Sequence, residues 1–314
     1  MSERGTGTIM LIGAALCWSL GGVLIKSIDL DPLALAGARS AIAGMMIALL
    51  YPLLKQTATV TARESARAPS TDAPHGSAPS LLDRLGVGVV AIVVGGLAYA
   101  GTVILFVTST KMTTAANAIL LQYTAPIWVV MLSPLLLRER ATRLDWITVV
   151  VSFVGIAIFL FDAVSPQARL GDLIALLSGL CFALCIMALR HLRGGGGLTV
   201  VLVGNMIAAA IALPSIVAAA GDGMIPQDDL WLLLLLGIGQ LGLGYILFTK
   251  GIARVTAIEG VLIPVIEPIL NPLWVALSIG ERPSVSSVIG GLIVLIAVTG
   301  RGVIAARTPD SPAT

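Results

Sequence analysis

Residues 257–282 read AIEGVLIPVIEPILNPLWVALSIGER, from Ala257 to Arg282. The run is long and apolar enough to cross a bilayer. It nevertheless carries Glu259, Glu267, Asn271 and three prolines, Pro264, Pro268 and Pro272. A charged side chain near the bilayer centre costs about 2.5–3.5 kcal/mol even on lenient insertion scales, so such groups face a bundle interior or a water-filled cavity. At about 100° per residue, Glu259, Ile263, Glu267, Asn271 and Trp274 fall within one stripe about 120° wide. The stretch therefore predicts a helix that turns a polar stripe and one large aromatic toward an internal cavity.

The rest of the chain fits that reading. It is 57% hydrophobic and only 11% charged, against about 25% charged for a soluble domain, and its mean hydropathy is +1.00. Such a composition describes an all-α polytopic membrane protein whose surroundings are the lipid bilayer. A net charge of +2 gives no electrostatic case for a nucleic-acid partner. Cys17, Cys181 and Cys185 lie in apolar runs without CxxC or zinc-type spacing, so neither disulfide, metal nor cofactor is expected. Free cysteine packs as a small hydrophobe.

Apolar runs predict ten spanning helices: Thr8–Ile25, Leu33–Leu54, Leu85–Thr108, Ala115–Leu137, Leu144–Phe161, Leu170–Leu189, Leu198–Ala219, Leu230–Lys250, Ala257–Ile279 and Val285–Ile304. Residues 56–80, rich in Ala, Pro, Ser and Thr, read as a disordered loop that includes His75. Arg4 ahead of the first run mimics a signal peptide, but that run has a counterpart deep in the chain. Lys and Arg concentrate in the loops on the N-terminal side, where fourteen of the 19 lie. Four, Lys26, Lys111, Arg169 and Arg282, fall on the other side, and Arg39 lies inside a helix. The positive-inside rule then puts both termini in the cytoplasm.

An internal repeat organises the ten helices. A shift of 142 residues aligns Leu105-Phe106 with Leu247-Phe248, Thr114 with Thr256, Pro126 with Pro268 and Glu139-Arg140 with Glu281-Arg282. A shift of 164 aligns Leu16-Cys17-Trp18 with Leu180-Cys181-Phe182 and Lys26 with Arg190. Residues 8–161 and 170–304 are thus two five-helix repeats, followed by a cytoplasmic tail, 305–314. An odd number of spans per repeat forces the halves into opposite orientations. Inverted repeats are a transporter architecture with the site near the midplane, at the repeat interface.

On Leu16-Cys17-Trp18-Ser19 with Lys26, on Arg39, and on Pro126…Arg138-Glu139-Arg140 and Glu267-Pro268…Gly280-Glu281-Arg282, the chain resembles the EamA-type transporters of the drug/metabolite transporter superfamily. The likeness covers nearly all of 8–304. It implies alternating-access movement of small metabolites, often amino-acid export, in a multi-pass bacterial inner-membrane protein.

Glu267 is the costliest residue in the chain. It reads either as a group that binds a substrate ammonium or carries a coupled proton, or as a carboxylate tied to backbone freed by Pro268 and Pro272. Glu259 and its repeat partner Asn117 suit gates or solvent-facing helix ends. Arg39 could hold a substrate carboxylate or lock the fold. Glu139 and Glu281, each before an arginine, read as anchors at the lipid–water boundary. Trp18, Tyr99, Gln122, Tyr123, Trp128, Gln240 and Tyr245 are the other polar or aromatic residues within helices. Trp128 sits on one face with Asn117, Leu121 and Thr124, the counterpart of the helix-nine stripe. Aromatic rings with polar handles suit a pocket for amphiphilic side chains.

No mid-depth Lys or Arg occurs in the C-terminal half, which argues against phosphorylated substrates. The first helix has no carboxylate, unlike small multidrug pumps. The expectation is a transporter for small-molecule substrates, foremost amino acids, with no obligate protein partner. A lipophilic-cation exporter and a metabolite importer are the alternatives. An embedded enzyme ranks last, since His75 and His191 are the only histidines and neither lies in a groove.

Overall fold

The computed structural model describes residues 3–65, 81–136, 142–162, 165–192, 196–221, 227–252, 254–255, 260 and 263–307. Among these every regular element is helical. The first span is broken into α1 (Glu3–Ser19) and α2 (Gly21–Ser27), and the second is α3 (Pro32–Ser65). The third is α4 (Leu81–Met112), and the fourth is α5 (Ala115–Gln122) with α6 (Ala125–Leu136). Then follow α7 (Arg143–Asp162), α8 (Pro166–His191) and α9 (Gly197–Gly221). The eighth span joins α10 (Gln227–Leu234), a π-helix (Leu235–Leu243) and α11 (Gly244–Ile252). The ninth is a 3₁₀ turn (Ile263–Val265) leading into α12 (Ile266–Ile279), and α13 (Val285–Arg307) is the tenth.

Eight of these are long and apolar enough to cross a membrane, and Ile263–Ile279 is a shorter apolar helix. With α7, the molecule is a ten-span, all-helical membrane protein, and an even number of spans puts both ends of the chain on one side. Apolar side chains such as Leu49, Val89, Val150, Leu213 and Ile296 are exposed, as a lipid-facing surface requires.

Two expectations need correction. Residues 56–80 are not a loop from their start: α3 runs on to Ser65, and 66–80 lie outside the described residues. The segment TATVTARES continues the helix because Ala, Arg and Glu favour it where the backbone is already nucleated. Likewise α13 reaches Arg307, three residues into the expected tail.

Helix neighbours follow a two-fold pattern. Spans two and seven pack on each other (α3 on α9), as do spans five and ten (α7 on α13). The third span lies on the sixth (α4 on α8), and its repeat partner, the eighth, lies on the first (α11 and the π-helix on α1). The fourth packs on the sixth (α5 and α6 on α8), and the ninth packs on the first (α12 on α1 and α2). These main contacts between halves thus recur with the roles of the halves exchanged.

In spans four and nine the breaks occur where proline removes a helix donor. Pro126 leaves the Gln122 carbonyl without its N–H, and the chain turns at Tyr123-Thr124. The Thr124 hydroxyl closes back on the Leu121 carbonyl at 2.6 Å. Pro268 does the same to the Pro264 carbonyl, beside the 3₁₀ turn. These breaks match under the 142-residue shift. In the first span the break falls at Leu20, ahead of Gly21-Gly22.

Close packing relies on small residues at helix crossings. A Cβ on Gly204 of α9 would lie 2.5 Å from Tyr99 Cδ1 and 2.8 Å from Tyr99 Cβ, and Tyr99 is 1% exposed, so it cannot yield. Gly204→Ala is expected to lose about 1–3 kcal/mol by overpacking. Gly300→Ala, where a Cβ meets nothing within 4 Å, should leave the melting temperature in detergent unchanged. Equal melting temperatures for the two variants would contradict this packing.

Candidate transport site

The site is built around the two proline breaks. Tyr123, in the break of span four, points its hydroxyl at span nine, 2.8 Å from the Pro264 carbonyl and 3.0 Å from Glu267 Oε2. The carbonyl that Pro268 deprives of a backbone donor is thus satisfied by a side chain from the other repeat. Among the described residues, Glu267 takes its hydrogen bond from that same tyrosine.

Glu267, Asn271 and Trp274 share a face of α12 turned toward spans one and four. Trp274 Nε1 donates to Ser19 Oγ at 3.0 Å, just before the break in span one. Asn271 is fully buried, and neither of its side-chain polar atoms has a hydrogen-bond partner. It abuts the second glycine of that break, since a Cβ on Gly22 would stand 2.2 Å from Asn271 Oδ1. Glu259 lies outside the described residues.

An aromatic stack forms one wall. Trp18 meets Tyr245 at 4.9 Å and Phe248 at 5.1 Å between ring centroids, and Tyr245 meets Tyr99 edge-on at 5.1 Å. Trp18 Nε1 is buried without a partner. Tyr99 accepts from Asn205 Nδ2 at 3.2 Å.

Above the stack, Arg39 is 1% exposed. Its guanidinium donates to Gln240 Oε1 at 3.3 Å and to the Val103 carbonyl at 3.3 Å. Both acceptors are neutral, and Nε has no partner. Gln240 belongs to the π-helix, and π-helical turns concentrate at functional sites.

Other expected site residues sit elsewhere. Gln122 Nε2 donates to Ser178 Oγ at 2.8 Å, and Trp128 Nε1 donates to Thr124 Oγ1 at 3.2 Å. Asn117 belongs to a polar knot at one end of the bundle. Its Nδ2 donates to Asp172 Oδ1 at 3.1 Å, its Oδ1 accepts from Ser287 Oγ at 2.6 Å, and Thr113 Oγ1 also donates to Asp172 at 2.7 Å.

That end of the bundle holds an interaction the sequence did not suggest. Glu281, read as a boundary anchor, forms an ion pair with Lys26 and accepts from the Ala115 backbone N–H at 2.8 Å. Lys26 also donates to the Thr113 carbonyl at 2.9 Å, and Lys111 donates to the Ile28 carbonyl. Glu281 therefore caps α5 of the opposite repeat, with its charge at the positive end of the helix dipole. Spans one, three, four, six, nine and ten are drawn together here. The recurrence of Lys26 as Arg190 and of Glu281 as Glu139 was the one available hint; Glu139 lies outside the described residues. At the opposite end Arg301 pairs with Asp145 at 2.7 Å. Among the described residues no group of three or more His, Cys, Asp or Glu could hold a metal.

The fold is that of a multi-pass membrane protein built from two repeats. The EamA-like transporter family model matches residues 5–161 and 169–300, and the chain belongs to that family. An uncharacterized protein of Pseudomonas aeruginosa is 29% identical over 191 residues, 58% of this chain and 65% of that protein. An uncharacterized transporter of Helicobacter pylori is 32% identical over 102 residues, 32% of this chain and 33% of its own length. These alignments thus span less than two thirds of the curated relatives. One crystal structure superposes with a TM-score of 0.55 over 98% of this chain and all of the other at 19% identity, a likeness in fold alone.

Replacing Lys26 by Gln and Glu281 by Gln, singly and together, tests the end knot. Both side chains are partly shielded, at 16% and 25% exposure, so a coupling of about 1 kcal/mol is expected in a double-mutant cycle on thermal stability. Strictly additive losses would show that the pair contributes nothing beyond its separate parts.

Proposed function

We propose that this protein exports amino acids or similar small amphiphilic metabolites across the bacterial inner membrane by alternating access, with both termini in the cytoplasm. The observation that carries the reading is Glu267: a carboxylate at the break of a span, with a tyrosine hydroxyl from the other repeat as its partner. A substrate ammonium supplies the countercharge such a group lacks, and the Trp18–Tyr245–Phe248 stack offers apolar ring faces to a side chain.

The Tyr123 hydroxyl also favours proton coupling. It has a single hydrogen and two acceptors within reach, the Pro264 carbonyl and Glu267. When Glu267 is ionised, one acceptor goes without. When Glu267 is protonated, it donates to the tyrosine oxygen while the tyrosine donates to Pro264, and every group is satisfied. Release of that proton as a substrate ammonium arrives links the two.

In this conformation the Lys26–Glu281 knot closes the end assigned to the outside. Opening that side requires the knot to part. A second reading, export of lipophilic cations, draws on the same aromatic stack beside Glu267. Resistance of expressing cells to cationic dyes would support it.

Purified protein in proteoliposomes, given radiolabelled amino acids with and without a pH gradient, tests the proposal. Wild type should accumulate at least one amino acid. Glu267→Gln should lose about tenfold or more of that uptake while inserting normally, since a charged hydrogen-bond partner is removed. Undiminished uptake by Glu267→Gln across pH would overturn the role given to this carboxylate.

A further inference from the structure

Arg39 is the anomaly that the proposed function does not absorb. A guanidinium buried in the bilayer region is expected to pair with a carboxylate, yet Arg39 donates to an amide and a backbone carbonyl. A buried cation with neutral partners is retained where its charge acts on something that is not always present.

The acceptor geometry shows what that is. Arginine has only donors, so the Gln240 amide must turn its oxygen toward Arg39, and its nitrogen is thereby aimed away. That nitrogen faces the break in span one: a Cβ on Gly21 would lie 3.0 Å from Gln240 Nε2. The next residue, Gly22, abuts Asn271, one helical turn beyond Glu267 on α12. Adjacent glycines of one helix break are therefore flanked by Gln240 on one side and by the Glu267 face of α12 on the other. The π-helical winding of residues 235–243 carries Gln240 at this position.

From this arrangement we infer that Gln240, oriented and polarised by Arg39, is the carboxylate subsite of a zwitterion-binding site whose ammonium subsite is Glu267. The inference rests on the export function proposed above and sharpens it. A fixed positive charge at one side and, once Glu267 has released its proton, a negative charge at the other make a dipole antiparallel to that of an α-amino acid. The substrate carboxylate accepts from Gln240 Nε2, with the Arg39 charge behind the amide, and the ammonium meets Glu267. Arg39 is a positioning residue: it needs no access to the substrate, which fits its burial. An amine without a carboxylate engages only the Glu267 side, and the site should distinguish the two.

The test compares matched probes in proteoliposomes of the full chain: radiolabelled leucine against isopentylamine, its decarboxylated counterpart, and phenylalanine against phenethylamine. Wild type is measured first. Gln240→Leu should raise KM for the amino acids about tenfold, the loss expected when a carboxylate forfeits a hydrogen-bond donor in a buried site, and leave KM for the amines unchanged. Gln240→Glu, which keeps the shape and pairs with Arg39, should go further and invert the preference, because its carboxylate repels that of the substrate. Should Gln240→Leu fail to insert, Gln240→Glu carries the comparison alone. Parallel changes for amino acid and amine, or no change for either, would overturn the inference while leaving amino-acid export intact. If wild type moves no amino acid, both the function and this subsite are wrong.

Discussion

The Tyr123 hydroxyl, set between the Pro264 carbonyl and Glu267, is the interaction on which the centre of the molecule depends. In a bilayer no water is available to a carbonyl left open by proline, and an unsatisfied group there costs several kcal/mol. Pro268 opens such a carbonyl and Tyr123 closes it from the other repeat. The two broken spans are therefore held to each other at their breaks, where helix backbone is least able to satisfy itself. That juxtaposition places a carboxylate at the repeat interface.

Two opposing contributions govern the ends. On one side the Lys26–Glu281 pair, the capped N-terminus of α5 and the Asp172–Asn117–Ser287 chain fasten six spans together. Against them stands Asn271, fully buried with both polar atoms unpartnered, a penalty of about 1–3 kcal/mol per unsatisfied group. Both sides of this balance are a few kcal/mol, so a second state with Asn271 hydrated and the knot parted lies within reach of substrate binding. The two-fold pattern of helix neighbours supplies a symmetry-related arrangement for that state to approach.

Much of the architecture was legible from the residues. The ten spans follow from hydropathy, and the inverted halves follow from an ungapped repeat with an odd span count. The breaks follow from Pro126 and Pro268. The shared face of Glu267, Asn271 and Trp274 was readable because helical periodicity holds from Ile266 onward. It could not be extended to Ile263, because the 3₁₀ turn interrupts the register there. The partners of these residues were not legible. Lys26 and Glu281 stand 255 positions apart, and the link between Tyr123 and Pro264 spans 141. Such pairings are set by tertiary packing, which no local period encodes. Arg39 read either as a holder of a substrate carboxylate or as a lock on the fold, and its hydrogen bonds to Gln240 and the Val103 carbonyl could not be read from the sequence. The helical extension to Ser65 was missed because composition outweighed the helix propensity of Ala, Arg and Glu.

The central claim, that a path runs between the broken spans past Glu267 and is closed at the Lys26 end, is tested most directly by the reactivity of a single cysteine at position 271. The chain would carry Asn271→Cys with Cys17, Cys181 and Cys185 replaced, and be exposed to a membrane-impermeant maleimide from the Lys26 side. Position 271 should resist labelling at rest, and it should label when a transported amino acid drives turnover or when Glu281→Gln parts the knot. A cysteine that stays unreactive under both conditions, or labels equally in all of them, would contradict the account.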